Sequence, residues 1–139
     1  MSVLLIEDDE LAREVVESVL TAAGLEVTSV ETGEEAVELF EQGSCFELLV
    51  TDIRLPGSCD GWSAAIEARR FNPQIAVVYM TASHQQNCPV TRSVFLRKPV
   101  KPKLILDIGG ALLNRSLRVK SESARRSADI AIGFANYLH

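Results

Sequence analysis

Five short strand-like segments, four of them largely apolar and one (Leu25 to Val30) β-branched at alternate places, constrain this 139-residue chain more than any other feature. They are Val3 to Ile6, Leu25 to Val30, Phe46 to Thr51, Ile75 to Met80 and Val94 to Leu96. Each is too short for a helix, and most are too continuous for a half-exposed strand. Runs of this kind fit strands buried on both faces, the habit of parallel sheets. Between them the period changes to that of helices. Asp9 offers an N-cap for Glu10 to Ala23, where Leu11, Val15, Val19 and Ala23 recur on one face, flanked by Val16 and Leu20. Thr32-Gly33 opens a second helix that ends near Gly43, with Ala36, Val37, Leu39 and Phe40 inward. Trp62 to Phe71 reads as a third, stopped by Asn72-Pro73. Pro102 suits the first turn of a last helix reaching about Arg115. Strands alternating with helices imply right-handed crossovers and an α/β fold whose parallel sheet is covered on both faces.

Composition excludes several function classes. The chain is 47% apolar and 24% charged, ordinary values for one soluble domain with its own core. No apolar run approaches the ~20 residues of a membrane span. The first residues carry no basic lead and reach carboxylates after four apolar positions, unlike a signal peptide, so a cytoplasmic location is expected. Cys45, Cys59 and Cys88 are odd in number and widely spaced, which argues against disulfide or metal use. Residues 1–96 hold 5 Lys+Arg against 16 Asp+Glu, whereas residues 97–139 hold 9 against 3. An acidic body and the lack of a recognition helix argue against direct DNA binding.

The chemistry lies at the strand ends. In open parallel sheets, ligands bind beyond the carboxyl ends of the strands, where strand order reverses. The first strand ends in Glu7-Asp8-Asp9, the third in Asp52, the fourth in Thr81, and the fifth runs into Lys98. Taken singly, Asp9 is a helix cap, Asp52 a turn residue, Thr81 a loop hydroxyl and Lys98 a solvated charge. Together they bring carboxylates, a hydroxyl and an ammonium to one sheet edge. Clustered carboxylates repel and require a cation or raised pKa values. An all-oxygen site with few protein ligands suits Mg²⁺ (or Mn²⁺). An aspartate neutralised in this way can attack phosphorus and form an acyl phosphate, with lysine and hydroxyl holding the phosphoryl oxygens.

Four segments carry a resemblance: Val-Leu-Leu-Ile-Glu-Asp-Asp (3–9), Leu-Val-Thr-Asp-Ile-Arg-Leu-Pro-Gly (49–57) with Asp60-Gly61, Val-Val-Tyr-Met-Thr-Ala (77–82) and Phe-Leu-Arg-Lys-Pro-Val (95–100). Across residue 2 to about residue 115 the chain resembles the receiver domain of two-component response regulators. The resemblance implies a flavodoxin-like, doubly wound sheet of five parallel strands in order 2-1-3-4-5. It implies that Asp52 is the phospho-acceptor, Asp8 a direct metal ligand, Glu7 a ligand through water, and the Arg54 carbonyl the remaining protein ligand. Thr81 and Lys98 would bind phosphoryl oxygens, Phe95 would be the aromatic switch, and the Lys98–Pro99 bond would be cis. The donor would be a phosphohistidine on a histidine kinase or phosphotransfer protein. An aspartyl phosphohydrolase, the enzyme rival, usually places a second aspartate two residues after the first; here that position is Arg54.

The chain departs from the family pattern in one place. Thirteen residues separate Thr81 from Phe95, including Pro89 and few apolar side chains. A helix alone averages ~11–12 residues, so the fourth helix is expected to be reduced or absent. In this the chain resembles a branch of stand-alone receivers common in alphaproteobacteria. The usual dimer surface loses a wall, leaving a homodimer through a non-standard interface open. Residues 1–116 are expected to form the receiver and 117–139 an extension. In the extension Ala124, Ala128, Ala131, Ala135 and Leu138 mark an extra helix, with Ser121 or Ser123 as cap. With no residues left for an output domain, the expected output is contact with a downstream protein. The alternative is a degenerate, phosphate-independent interaction module.

Overall fold

The computed structural model describes residues 1–82 and 90–119, with side chains through residue 113. In chain order the elements are β1 (Ser2–Ile6), α1 (Glu10–Ala22), β2 (Glu26–Val30), α2 (Gly33–Glu41), β3 (Leu48–Asp52), α3 (Gly61–Phe71), β4 (Ala76–Thr81), β5 (Ser93–Arg97) and α4 (Pro102–Val119). The five strands are parallel in the order β2-β1-β3-β4-β5. This is the flavodoxin-like sheet of the sequence reading.

Strand alternation divides the core in two. Val3, Leu5, Leu48, Val50, Val78, Met80, Val94 and Leu96 meet Val16 and Leu20 of α1 and Ile105, Ile108 and Leu112 of α4. Leu4, Ile6, Leu49, Val77 and Tyr79 meet Ala36 and Phe40 of α2 and the small residues Ala64, Ala65 and Ala68 of α3. In β1, β3 and β4 consecutive residues thus point to opposite faces and both sets are buried, which is why these strands read as continuous apolar runs; in the edge strand β2 only Val30 is fully buried.

Helix α1 corrects one expectation. Its buried residues are Val16 and Leu20, whereas Leu11 is 75% and Val15 56% exposed. Neighbouring rows on a helix are rotated by about 100°. Two adjacent apolar rows therefore look equally eligible in sequence, and packing against α4 and β2 selects the Val16–Leu20 row. Some boundaries also move. Phe46 is buried but precedes β3, and α4 continues past Arg115 to Val119. Apart from Val119, the helix expected over residues 119–138 lies outside the described residues. Cys45 and Cys59 are free thiols, and Cys88 lies outside the described residues.

Residues 82–92 connect β4 to β5, too few for a full helix with its two loops, and residues 83–89 lie outside the described residues. Four helices accompany the five strands among the described residues. Aromatic side chains cover this end of the sheet: Trp62 at the start of α3 lies 4.8 Å from Tyr79 and 5.4 Å from Phe95, and the latter two stack at 5.0 Å, centroid to centroid. The chain entering β5 is held by two arginines. Arg69 of α3 donates Nε to the Ile75 carbonyl at 2.6 Å and its terminal nitrogens to the Thr91 hydroxyl and the carbonyls of Thr91 and Arg92. Arg92, at φ 51°, donates back to the Pro73 carbonyl at 2.7 Å. Burial, then the nearby Arg92 charge, pulls the Arg69 guanidinium down to about 10, so it remains a cation at neutral pH. Arg69→Ala would leave several carbonyls without their donor. It is expected to cost about 2–3 kcal/mol, a thermal midpoint lower by on the order of 10 °C by calorimetry. Arg69→Lys should recover little, because one ammonium cannot reproduce the planar fork.

Candidate functional site

Glu7, Asp52 and Lys98 each stand two residues beyond a buried strand residue, Leu5, Val50 and Leu96. Alternation therefore sends all three side chains toward the same face at the carboxyl edge of the sheet. Register sets their heights. Ile6 pairs with Thr51, so Glu7 and Asp52 are level, while Met80 pairs with both Asp52 and Leu96, so Lys98 starts two residues higher and reaches back. Its Nζ lies 2.6 Å from Asp52 Oδ1 and 3.2 and 3.4 Å from the two Glu7 oxygens. Glu7 is 1% and Asp52 5% exposed. Asp8 is exposed at the rim. Oxygen atoms of Glu7, Asp8 and Asp52 lie within 4.8 Å of one another.

The surrounding turns hold these groups. Asp9 caps α1, accepting the Ala12 N–H at 3.1 Å, as its sequence position suggested. Arg13, one turn along α1, donates to the Glu7 carbonyl at 2.9 Å and pairs with Glu31 at 3.3 Å. Under Asp52, the Thr51 hydroxyl donates to the Asp52 carbonyl at 2.8 Å and the Gly61 N–H donates to the Ile53 carbonyl at 2.8 Å. Asp60 caps α3 through the Ser63 N–H. The Lys98–Pro99 bond is cis, and the Lys98 N–H donates to the Thr81 carbonyl at 2.7 Å. Thr81 ends β4 beside the register partner of Asp52, and half-buried Phe95 lies in the aromatic stack. Of the residues expected at the site, Glu7, Asp8, Asp52 and Lys98 are thus brought together directly. Thr81 flanks them on the next strand, Arg54 follows in the loop after β3, and Phe95 lies on β5 three residues before the lysine. The bracing by Arg13 and the seat made by Gly61 went unread. Arginine in a first helical turn is too common to signal a role, and a glycine beside Asp60 does not show in sequence how closely its helix approaches the strand.

Burial pushes the Asp52 carboxyl above its ordinary value of 3.8, against the hydrogen bond and charge of Lys98, which pull it down. An acid raised by folding contributes most to stability below its ordinary value and loses that contribution as pH rises through its folded value. Above the folded value of Asp52, metal-free protein therefore carries a charge that folding disfavours. Asp52→Asn keeps an oxygen for Lys98, and Lys98 keeps Glu7. The variant is expected to melt higher than wild type without metal at pH 7, by a few degrees (about 1 kcal/mol). Thermal melts should show the advantage shrinking as pH falls through the folded value of Asp52 toward 3.8.

Comparison with known proteins agrees with this geometry. Residues 3–108 match the family model described as the response regulator receiver domain. A response regulator receiver protein from Sinorhizobium medicae superposes with a TM-score of 0.78 at 32% identity, covering 84% of this chain and 96% of that one. The receiver domain of a sensor histidine kinase from Pseudomonas aeruginosa, solved with a magnesium ion coordinated in its active-site cleft, superposes at 0.71 with 29% identity, covering 81% and 97%. Among curated proteins, a cyclic di-GMP phosphodiesterase of Thermotoga maritima is 32% identical over 134 residues, 91% of this chain but 35% of that protein. The DNA-binding transcriptional regulator NtrC of Klebsiella pneumoniae is 32% identical over 87 residues, 63% of this chain and 18% of that protein. The chain thus spans about a third or less of these two relatives; by its match over residues 3–108, this chain belongs to the response regulator receiver domain family.

Proposed function

We propose that this chain is a phosphorylation-dependent signalling switch that takes a phosphoryl group on Asp52 with Mg²⁺ bound beside it. The observation that carries the reading is the cluster of Glu7, Asp8 and Asp52 oxygens within 4.8 Å, with Lys98 Nζ 2.6 Å from Asp52. The donor set fits the metal: every ligand atom offered is oxygen, and the carboxylates are brought close enough that a hard divalent cation relieves their repulsion. Asp8, Asp52 and the Arg54 carbonyl would hold it directly and Glu7 through water. Mg²⁺, when bound, neutralises the pocket and draws in the phosphoryl oxygens.

The chain's own groups do the rest. An Asp52 Oδ attacks the phosphorus of a phosphohistidine on a histidine kinase or phosphotransfer protein. The O–P bond forms as the P–N bond breaks, and the imidazole leaves with the electron pair. Lys98 then moves its charge from the Asp52 carboxylate to a phosphoryl oxygen, and the Thr81 hydroxyl takes another. Rearrangement at Thr81 reaches Phe95 on the neighbouring strand, and the altered surface is read by a downstream protein rather than by DNA. The protein is a switch with self-catalysed gain and loss of the group, not an enzyme acting on a separate substrate. No helix among the described residues is long and apolar enough to cross a membrane, in keeping with a cytoplasmic site of action. The reduced β4–β5 connection favours one second reading, a phosphate-independent interaction module.

Incubation with Mg²⁺ and acetyl phosphate, read by intact mass, tests the proposal. The expected result is one phosphoryl group on wild type, dependent on Mg²⁺, and none on Asp52→Ala. Failure to gain the group, together with failure to bind beryllofluoride and Mg²⁺, would favour the interaction module.

A further inference from the structure

The corner between β2 and α2 supplies no ligand to the pocket, yet it touches both loops that do. Glu31, the residue after β2, receives the Arg13 guanidinium, whose other arm holds the Glu7 carbonyl. Three residues on, Glu34 in the first turn of α2 turns to the loop between β3 and α3. Its Oε1 accepts the Cys59 N–H at 2.6 Å and lies 3.5 Å from the Ser58 hydroxyl. The fit is close on both sides. A Cβ built on Gly57, at φ +85°, would fall 2.6 Å from Glu34 Oε2, and one on Gly33 would fall 2.5 Å from the Cys59 carbonyl oxygen. The inner arm of that loop is fixed to the sheet by Gly61 and Ile53. The outer arm, residues 57–59, takes its side-chain hydrogen bonds to α2 from Glu34.

From this arrangement, and resting on the Mg²⁺-dependent reading of the pocket, we propose that Glu34 is a positioning residue for the metal. By tying Ser58 and Cys59 to α2, it holds the loop from Asp52 to Gly61 in the shape that presents the Arg54 carbonyl beside Asp52. Arg13 and Glu31 brace the acidic loop from the same corner. Glu34 acts through the loop backbone and touches neither metal nor phosphoryl group. Its carboxylate geometry matters, and its charge does not.

Three substitutions separate position from charge. Glu34→Ala removes the acceptor, Glu34→Asp keeps the charge but withdraws it by one methylene, and Glu34→Gln keeps an oxygen at the same reach without the charge. Mg²⁺ binding is followed in the full chain by fluorescence of Trp62, the single tryptophan, which directly follows Gly61. Outer-shell partners of metal ligands typically affect affinity by 10–100-fold, and this exposed one belongs at the low end. The Mg²⁺ dissociation constant is expected to rise about tenfold in Glu34→Ala and by a smaller factor in Glu34→Asp. Glu34→Gln should stay near wild type. At saturating Mg²⁺, all three should take the phosphoryl group from acetyl phosphate at close to the wild-type rate. Wild-type affinity in both Glu34→Ala and Glu34→Asp would overturn the proposal, as would a Glu34→Gln variant as weak as Glu34→Ala. Either result leaves the phosphorylation reading standing. Absence of Mg²⁺ binding in wild type would instead remove that reading and this proposal with it.

Discussion

Gly61→Ala is expected to lower stability by on the order of 3–4 kcal/mol and to prevent phosphorylation of the protein that remains folded. A Cβ on Gly61 would lie 2.1 Å from the Asp52 carbonyl oxygen and 2.7 Å from the Ile53 Cα. Both obstacles are backbone, so no rotamer change relieves them. Either α3 lifts from the sheet or the end of β3 moves. Lifting α3 breaks the Gly61 N–H bond to the Ile53 carbonyl and opens the packing of Ala64, Ala65 and Ala68. Moving β3 displaces Asp52 from Lys98. Gly61 therefore joins the fold to the site: α3 comes this close because its first residue has no side chain. Urea unfolding should show a lower midpoint at unchanged slope. A midpoint equal to that of wild type would mean that the helix start shifts freely, and that Asp52 is not seated by it.

The contrast between Gly61 and Asp52 shows what a sequence makes legible. The placement of Asp52 is legible because it ends a buried strand, and parallel topology sends such ends to one edge; Glu7, Asp8, Thr81 and Lys98 are placed by the same reasoning. Identity and strand position suffice for that inference. The sheet order and the cis Lys98–Pro99 bond followed from the family resemblance. The features that sequence does not show are contacts between separate elements, namely Arg69 on Thr91, Glu34 on Cys59 and Gly61 on the Asp52 carbonyl. None leaves a periodic trace, because each depends on how two elements are inclined. Helix α1 failed for a related reason. Its two apolar rows differ by one residue's rotation, and the positions of α4 and β2 decide between Val15 and Val16.

Lys98→Ala should lower the thermal midpoint of metal-free protein by on the order of 5–10 °C, and Mg²⁺ should restore most of the loss. The lysine is the cation facing two carboxylates that are almost sealed from water, Glu7 at 1% and Asp52 at 5% exposure. Removing one partner of a buried pair costs 3–5 kcal/mol when the site is dry. The Lys98 side chain is 34% exposed, so screening by solvent reduces this to roughly 2 kcal/mol. Without the ammonium, Asp52 is raised further by the unrelieved charge of Glu7 and takes up its proton at higher pH. A divalent cation then has no competing charge in the pocket and binds at least as tightly as in wild type. The stability gap between variant and wild type should therefore narrow as Mg²⁺ is added. Asp52→Asn acts in the opposite direction, since it deletes one of the two carboxylates that Lys98 serves. Combined with Lys98→Ala, it should give a double variant more stable than Lys98→Ala alone, with a coupling well outside additivity. Additive effects, or a gap that widens with Mg²⁺, would mean that the lysine does not hold these carboxylates in the resting protein.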